Sequence, residues 1–133
     1  MPVIGKDVAE KQFDDILEDL GIQLDTFADD DGKKTRAKIV SGIMSGILEY
    51  EKMSFKQRLL SPIELKDKKI EFINISEPTG SQLREMASVK DKNDDTGKGM
   101  AVLGAVSGLG LPIINKMGSR DLLLSVSVIG LFL

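Results

Sequence analysis

The sequence predicts an α+β fold that is mainly helical and contains one small β-hairpin. Apolar residues recur at helical spacing near the N-terminus, two short apolar runs flank a polar turn between residues 59 and 75, and two nearly uncharged helical segments follow. At 133 residues, 41% of them hydrophobic, the chain can bury a core without disulfides. We expect an acidic helical region over residues 1–58 and a second module over residues 59–133.

The first predicted helix has one apolar face. Its members follow the i, i+3, i+4, i+7 spacing of a helix: Phe13, Ile16, Leu17, Leu20 and Leu24. Acidic residues take the outer side, and Gly21 would stop or loosen the helix. Residues 1–31 contain ten acidic residues and two basic ones, so this part of the chain should be strongly solvated.

A second helix is predicted from Lys33 to Lys52, after a run of aspartates able to cap its start. Its apolar stripe consists of Ile39, Val40, Ile43, Met44, Ile47 and Leu48. The basic residues of its first turns stand at the unfavourable end of the helix dipole. The acidic first helix would offset this cost if it lay antiparallel beside the second.

Small residues form a track along this second helix, at Ser41, Gly42, Ser45 and Gly46. Each glycine in a helix interior costs roughly 1 kcal/mol relative to alanine, so a compensating contact is expected. Two interpretations are open: close approach of another subunit, or close packing within the chain. The second is favoured, because such tracks indicate tight helix contact without specifying the partner.

The middle of the chain predicts a hairpin and then a short helix. Two strands run from Leu59 to Leu65 and from Ile70 to Ile75, with Pro62 suited to a strand start or edge. Thr79 and Gln82 have the spacing of a capping box, which predicts a helix beginning near Gly80. The charged stretch from Val89 to Gly99 has no periodicity and is expected to be a loop.

The glycines Gly104, Gly108 and Gly110 raise the question of a phosphate-binding loop. A dinucleotide site needs a strand, the glycine turn, a helix of several turns and a second strand with an acid. Pro112 and the short remainder of the chain leave too little sequence for that unit. We therefore expect these glycines to form a bend between two helices and to bind no cofactor.

The composition excludes several classes of protein. The chain has no cysteine and no histidine, which removes thiolate metal sites and the commonest general base. A net charge of −3 and few aromatic residues argue against nucleic-acid binding. The acidic clusters at residues 29–31 and 94–95 have ligands for Mg²⁺ or Ca²⁺, but adjacent loop acids more often serve solubility. We expect a protein that is not an enzyme and holds no metal.

Neither uncharged C-terminal segment is suited to crossing a membrane. Residues 99–115 are interrupted by glycines and a proline, and Leu122–Leu133 is shorter than the ~20 residues a span requires. The start of the chain also lacks the apolar region of a signal peptide. A cytoplasmic protein without a membrane segment is therefore expected.

From Leu59 onward, the order of short motifs resembles the tail assembly chaperones of contractile-tailed bacteriophages. The residues that carry the resemblance are Pro62, Ile63, Glu77, Pro78, Thr79, Ser107, Gly108, Leu111, Pro112, Asp121, Leu122 and Phe132. One departure is "SGLGLP", where the family more often has a shorter "GLP". The resemblance covers residues 59–133 and leaves residues 1–58 without a counterpart.

The resemblance implies a chaperone that coats the tape measure protein and keeps it soluble while tail tube subunits assemble, in the host cytoplasm. Its partners would be the tape measure protein and the tail tube protein, and it would leave before the virion matures. A structural virion subunit, such as a small baseplate or tail-completion protein, is the alternative.

A helical client would lay an apolar stripe into an apolar groove, and the uncharged C-terminal segments can supply one. The candidate contacts are Leu103, Val106, Leu109, Leu123, Val126 and Ile129. The alternative is that these residues form the internal core. Because the terminal helix is apolar on every side, we also expect the chain to self-associate.

Overall fold

A computed structural model describes residues 3–133. Within that range the chain forms six helices, α1 (Lys6–Leu20), α2 (Asp30–Met44), α3 (Gly80–Leu83), α4 (Asp95–Ser107), α5 (Leu111–Ile114) and α6 (Ser119–Gly130). It also forms three strands, β1 (Leu48–Glu51), β2 (Ser54–Glu64) and β3 (Lys69–Ser76), and 3₁₀ turns at Leu24–Phe27 and Arg84–Ser88. The predicted fold class, mainly helical α+β, is confirmed.

The three strands form an antiparallel sheet in the order β1-β2-β3. One face of the sheet supplies buried residues such as Phe55, Ile73 and Ile75, and α2 and α6 pack with the strands. Helix α1 packs against α2, and α4 packs against α5, α6 and β3. One hydrophobic core contains residues from both halves of the chain. The boundary expected between residues 58 and 59 falls inside β2, so the two regions share a sheet.

The N-terminal helices have the predicted antiparallel arrangement. The amide of Ile4, just before α1, donates to the carbonyl of Met44 at the end of α2, with an N–O distance of 3.1 Å. Arg36 of α2 pairs with both Glu10 and Asp14 of α1. Asp29 caps α2 by accepting a hydrogen bond from the amide of Gly32. The acidic helix therefore does face a basic residue of the second helix.

The second helix is shorter than predicted, and its expected end is a strand. Helix α2 stops at Met44, a left-handed Gly46 follows (φ 75°), and Leu48–Glu51 pairs with β2. The prediction failed because Leu48 continues the helical apolar spacing of α2. Pairing with β2 outweighs that local pattern, as tertiary contacts often do.

The predicted hairpin is present but longer, over Ser54–Ser76, and β1 adds a third strand. The expected loop from Val89 to Gly99 is shorter, because α4 already begins at Asp95 after the cap of Asp94. Leu24 does not extend the first apolar face, since α1 ends at Leu20 and Leu24 is 58% exposed. The capping box of Thr79 and Gln82 is confirmed.

Candidate partner-binding surface

The C-terminal helices are attached to the sheet by a buried carboxylate. Asp121, in the first turn of α6, is 2% exposed and accepts hydrogen bonds from two backbone amides of β2. The amide of Leu60 lies 2.8 Å from Oδ1, and the amide of Ser61 lies 2.9 Å from Oδ2. A carboxylate bound by backbone N–H groups makes hydrogen bonds about twice as strong as neutral ones. This contact fixes where α6 begins relative to the sheet.

Two more buried polar side chains complete the same network. The side-chain amide of Gln57 donates to the backbone carbonyl of Asp121 at 2.9 Å. The hydroxyl of Ser125, one turn further along α6, donates to Oε1 of Gln57 at 2.6 Å. Both Gln57 and Ser125 have no exposed area. Because an unpaired polar group is costly in the core, each of these three side chains depends on the others.

A break in the pairing of β2 with β3 leaves backbone amides of β2 able to donate to Asp121. The register of β2 with β3 shifts between Arg58 and Ile63, so the residues between them do not continue the ladder. Pro62, which has no amide hydrogen, lies in this segment. The amides of Leu60 and Ser61 have no partner in this ladder, and Asp121 accepts a hydrogen bond from both. The Pro62 and Asp121 motifs, far apart in sequence, therefore belong to one structural unit.

The glycine stretch forms the predicted bend between helices. Gly108 ends α4 in the left-handed conformation (φ 75°), and Gly110 (φ 85°) precedes α5, where Pro112 occupies the first turn. The amide of Gly110 donates to the carbonyl of Gly104 at 3.0 Å, so the chain folds back over α4. A Cβ on Gly104 would lie 2.9 Å from the backbone nitrogen of Leu111. The glycines thus serve close packing of the backbone onto itself.

By burial, two of the six predicted contact residues are buried, three are half-buried and one is exposed. Leu103 and Ile129 have no exposed area and belong to the hydrophobic core. Val126 packs against α4, with its Cγ1 atom 3.0 Å from where a Cβ of Gly99 would stand. Val106 and Leu109 are half-buried at the end of α4 and in the bend. Leu123 is 45% exposed and is the most accessible of the six.

The remaining motif residues lie at contacts between elements. Glu77 and Pro78 precede the cap of α3 at Thr79, and Gln82 of α3 donates to the carbonyl of Ala105 near the end of α4. Phe132 packs edge-on against Phe55, with ring centroids 6.1 Å apart. These residues attach α3 and the C-terminal end to neighbouring elements.

The surface of the C-terminal helices carries very little charge. From Met100 to Leu133 the ionisable side chains are Lys116, Arg120 and Asp121, and Asp121 is buried. Exposed leucines remain at Leu111 (38%), Leu123 (45%) and the terminal Leu133 (54%). We define the C-terminal apolar surface by five of the accessible apolar residues on α4, the bend, α5 and α6: Val106, Leu109, Leu111, Leu123 and Val126. An exposed apolar surface with few charges is typical of a site where another protein binds.

Sequence reasoning missed three participants in this region. Gln57 occupies an inward position of β2 between Phe55 and Leu59, and a polar residue in such a place predicts a buried partner. Ser125 lies one helical turn after Asp121. This i, i+4 spacing could have indicated that the two side chains lie on the same face of α6. Leu111 was named as a motif residue but not as a candidate contact, because the proline and glycines around it interrupt the helical apolar spacing.

Over residues 3–133 the helices and the acidic clusters have neither of two further functional features. None of the helices in that range combines the length and apolar character needed to cross a bilayer. The acidic side chains of the same range form no group of three or more placed to hold a metal ion. Asp29 and Asp94, from the two acidic clusters, each cap a helix instead.

The fold and this surface define a small α+β protein whose acidic first helix lies near one end of the chain and whose weakly charged apolar helices lie at the other. A family model described as "Phage tail assembly chaperone proteins, E, or 41 or 14" matches residues 56–131. Since this match covers more than half of the chain, the protein belongs to the phage tail assembly chaperones. The matched range contains the whole network of Gln57, Asp121 and Ser125. No curated protein and no solved structure matches the chain.

Proposed function

We propose that this chaperone binds the tape measure protein and keeps it soluble while tail tube subunits assemble around it. The observation that carries the proposal is the C-terminal apolar surface, which exposes Leu111 and Leu123 in a region with two exposed cationic residues and no exposed acidic one. A long helical client with apolar stripes would be recognised by this kind of surface. The tail tube protein is a second proposed partner, and the host cytoplasm is the proposed location.

The acidic N-terminal region supports the same proposal, because its charge would keep a complex with an apolar client soluble. Its first 31 residues carry ten acidic side chains against two basic ones. A net charge of one sign favours solubility, because charged molecules repel one another. A complex of this chain with an apolar client would therefore present its charged helices to water.

The test is co-expression with the tape measure protein of the same phage, using two leucine substitutions of equal chemistry. Leu123→Glu places a charge on the C-terminal apolar surface, whereas Leu24→Glu places it on a leucine of the N-terminal region that is at least as accessible (58% against 45%). We expect Leu123→Glu to lose most of the co-purified client and of its soluble fraction, and Leu24→Glu to keep both. Both variants should retain a cooperative thermal unfolding transition by circular dichroism.

Ile129→Asp provides the reference for a folding defect. Ile129 has no exposed area, so an unpaired carboxylate there should unfold the chain at a cost of several kcal/mol. Equal client capture by Leu123→Glu and Leu24→Glu would refute the assignment of the surface. Mass spectrometry of purified virions gives a separate test, because a chaperone should be absent from them and a structural subunit present.

We further propose that the free chain self-associates through the same surface. Without a client, the exposed leucines of α5 and α6 would be covered by a second copy. Sedimentation analysis should find an oligomer for the unaltered chain and a shift toward monomer for Leu123→Glu. A strict monomer at high micromolar concentration would contradict this part of the proposal.

A further inference from the structure

A cleft lies between α1 and the β1–β2 hairpin, on elements separate from the C-terminal apolar surface. Its volume is about 1060 Å³. Its apolar lining includes Ile16 of α1, Leu48 of β1 and Phe55 of β2. Residues from both faces of β1 contribute to the lining, so the cleft follows the edge of this strand.

The edge of β1 that borders the cleft has free backbone hydrogen-bonding groups. Strand β1 pairs with β2 alone, through a two-residue turn in which Lys52 and Met53 both have positive φ (49° and 66°). Such a turn makes Glu51 and Ser54 a hydrogen-bonded pair, so the amides and carbonyls of Leu48 and Tyr50 point away from β2. Among residues 3–133, no hydrogen bond from another element reaches these groups. A strand edge of this kind accepts an added strand.

The lining of the cleft contains four carboxylates and two lysines, so the charge along this edge is negative. Glu49 and Glu51 are exposed and form no ion pair within the part of the chain that the structure describes. Lys56 is the residue of β2 that pairs with Glu49, but its ammonium group lies over the ring of Phe72, 4.3 Å from the centroid. The two glutamates are therefore left without a cation from their own sheet.

This charge argues against a second copy of the chain as the added strand. Pairing two β1 edges would place the glutamates of one copy beside those of the other. Like charges on facing strands are destabilising, whereas opposite charges stabilise the pair. The edge is thus complementary to a basic segment and not to itself.

We propose that the cleft binds an extended segment of a partner protein as a fourth strand on β1, and that this segment alternates basic and apolar residues. Successive side chains of a strand point to opposite faces, so residues paired with Glu49 and Glu51 would lie beside the two carboxylates. Residues paired with Leu48 and Tyr50 would enter the cleft over its apolar lining. This inference concerns a different surface from the proposed client site and does not depend on it.

The experiment titrates the labelled full-length chain with short synthetic peptides, monitored by backbone amide NMR. The probe alternates lysine and valine. One control has the same composition with its lysines in one block, and another replaces lysine by glutamate. A third control is the alternating peptide with N-methylated backbone amides, which cannot pair with a strand edge. We expect saturable shifts at Leu48–Glu51 with the alternating probe, and at least about tenfold weaker binding for each control.

Charge reversal on the protein tests the same site from the other side. The double variant Glu49→Lys and Glu51→Lys should bind the alternating lysine peptide at least about tenfold more weakly and gain affinity for the glutamate peptide. Glu71→Lys, a reversal at an exposed residue of β3, is the matched control and should behave like the unaltered chain. Shifts that map outside β1 and the cleft, or equal binding of the alternating and block peptides, would overturn the proposal.

Discussion

In the N-terminal region, α2 is held against α1 by Arg36, which makes ion pairs with Glu10 and Asp14 and lies over the ring of Phe13. All three charged side chains keep part of their surface in water. In the C-terminal region, α6 is held against β2 by Asp121, which is almost fully buried and accepts from two backbone amides. The difference predicts that similar-looking polar contacts contribute very different free energies to folding, because the surface pair can return to water and the buried one cannot.

The largest expected effect is that of Asp121→Ala. The substitution removes a buried carboxylate and leaves the partly buried amides of Leu60 and Ser61 without their acceptor, which should lower the free energy of unfolding by about 2–4 kcal/mol. Urea denaturation followed by circular dichroism measures the loss. Ser125→Ala, which removes one donor from the same network, should cost less, about 1–2 kcal/mol. A loss below about 1 kcal/mol for Asp121→Ala would remove the contrast between the two regions.

A second comparison uses two glycines that lie in close contacts, one in each region. A Cβ on Gly104 would meet the backbone of Gly110 and Leu111, whereas a Cβ on Gly42 of α2 would meet the side chains of Leu48 and Leu124 at 3.3 Å. Backbone cannot move aside, so Gly104→Ala should cost about 1–3 kcal/mol. Gly42→Ala should cost less than Gly104→Ala, since leucine side chains can adjust and alanine favours the helix by about 1 kcal/mol. Thermal unfolding measures both losses. A larger decrease in melting temperature for Gly42→Ala than for Gly104→Ala would contradict this account.

A third, smaller effect is expected when the ion pairs between α1 and α2 are removed. Burial alone would lower the pKa of Arg36, but its hydrogen bonds and charge interactions with Asp14 and Glu10 raise the pKa above its ordinary value. Arg36 therefore stays charged, and Arg36→Gln should cost about 1 kcal/mol at low salt and less at high salt. Lys38→Gln, at an exposed position of the same helix, is the matched control and should change little. A loss that salt leaves unchanged would mean that packing on Phe13 is the larger contribution.

These contrasts also explain what the sequence could and could not predict. Helix α1 and the capping box at Thr79 follow from local spacing, which acts within a few residues. The antiparallel pairing with α2 follows from the opposite charges of two consecutive helices. The strand at Leu48–Glu51 could not be seen, because its pairing with β2 competes with a helical pattern of equal strength. The role of Asp121 depends on a register shift some sixty residues earlier in the chain, between Arg58 and Ile63. Only its membership of a family motif indicated that it had a role.

The predicted contact residues also show that local sequence patterns do not specify tertiary contacts. The apolar pattern of α4 and α6 selected residues able to face an apolar partner but could not say whether that partner was inside the chain. Leu103 and Ile129 face the core, while Leu123, on the same helix as Ile129, faces water. The close approach of Val126 to Gly99 decides which side of α6 meets α4. Helical periodicity alone does not contain that information.

The smallest expected effect concerns the contact between α1 and the hairpin and appears only at high pH. Tyr50 donates a hydrogen bond from its hydroxyl to Asp19 and accepts one from the amide of Met53. Partial burial, followed by the hydrogen bond to Asp19 and its negative charge, raises the pKa of Tyr50 to about 12 from its ordinary value of 10.0. A raised pKa means that the folded state holds the proton more tightly than the unfolded state. The contribution of this contact to stability is therefore complete below pH 10 and is lost as the pH rises toward 12.

Tyr50 is the one tyrosine of the chain, so the absorbance of tyrosinate reports its ionisation directly. We expect a titration midpoint clearly above that of free tyrosine in the folded protein and a normal midpoint in urea. Tyr50→Phe lacks the contact, so the stability difference between the unaltered chain and this variant should shrink over the same pH range. Comparing the two proteins at each pH cancels the loss of lysine charge, which affects both equally. An ordinary midpoint in the folded protein would show that the hydroxyl is free in water, and that the hairpin is joined to α1 through apolar contacts alone.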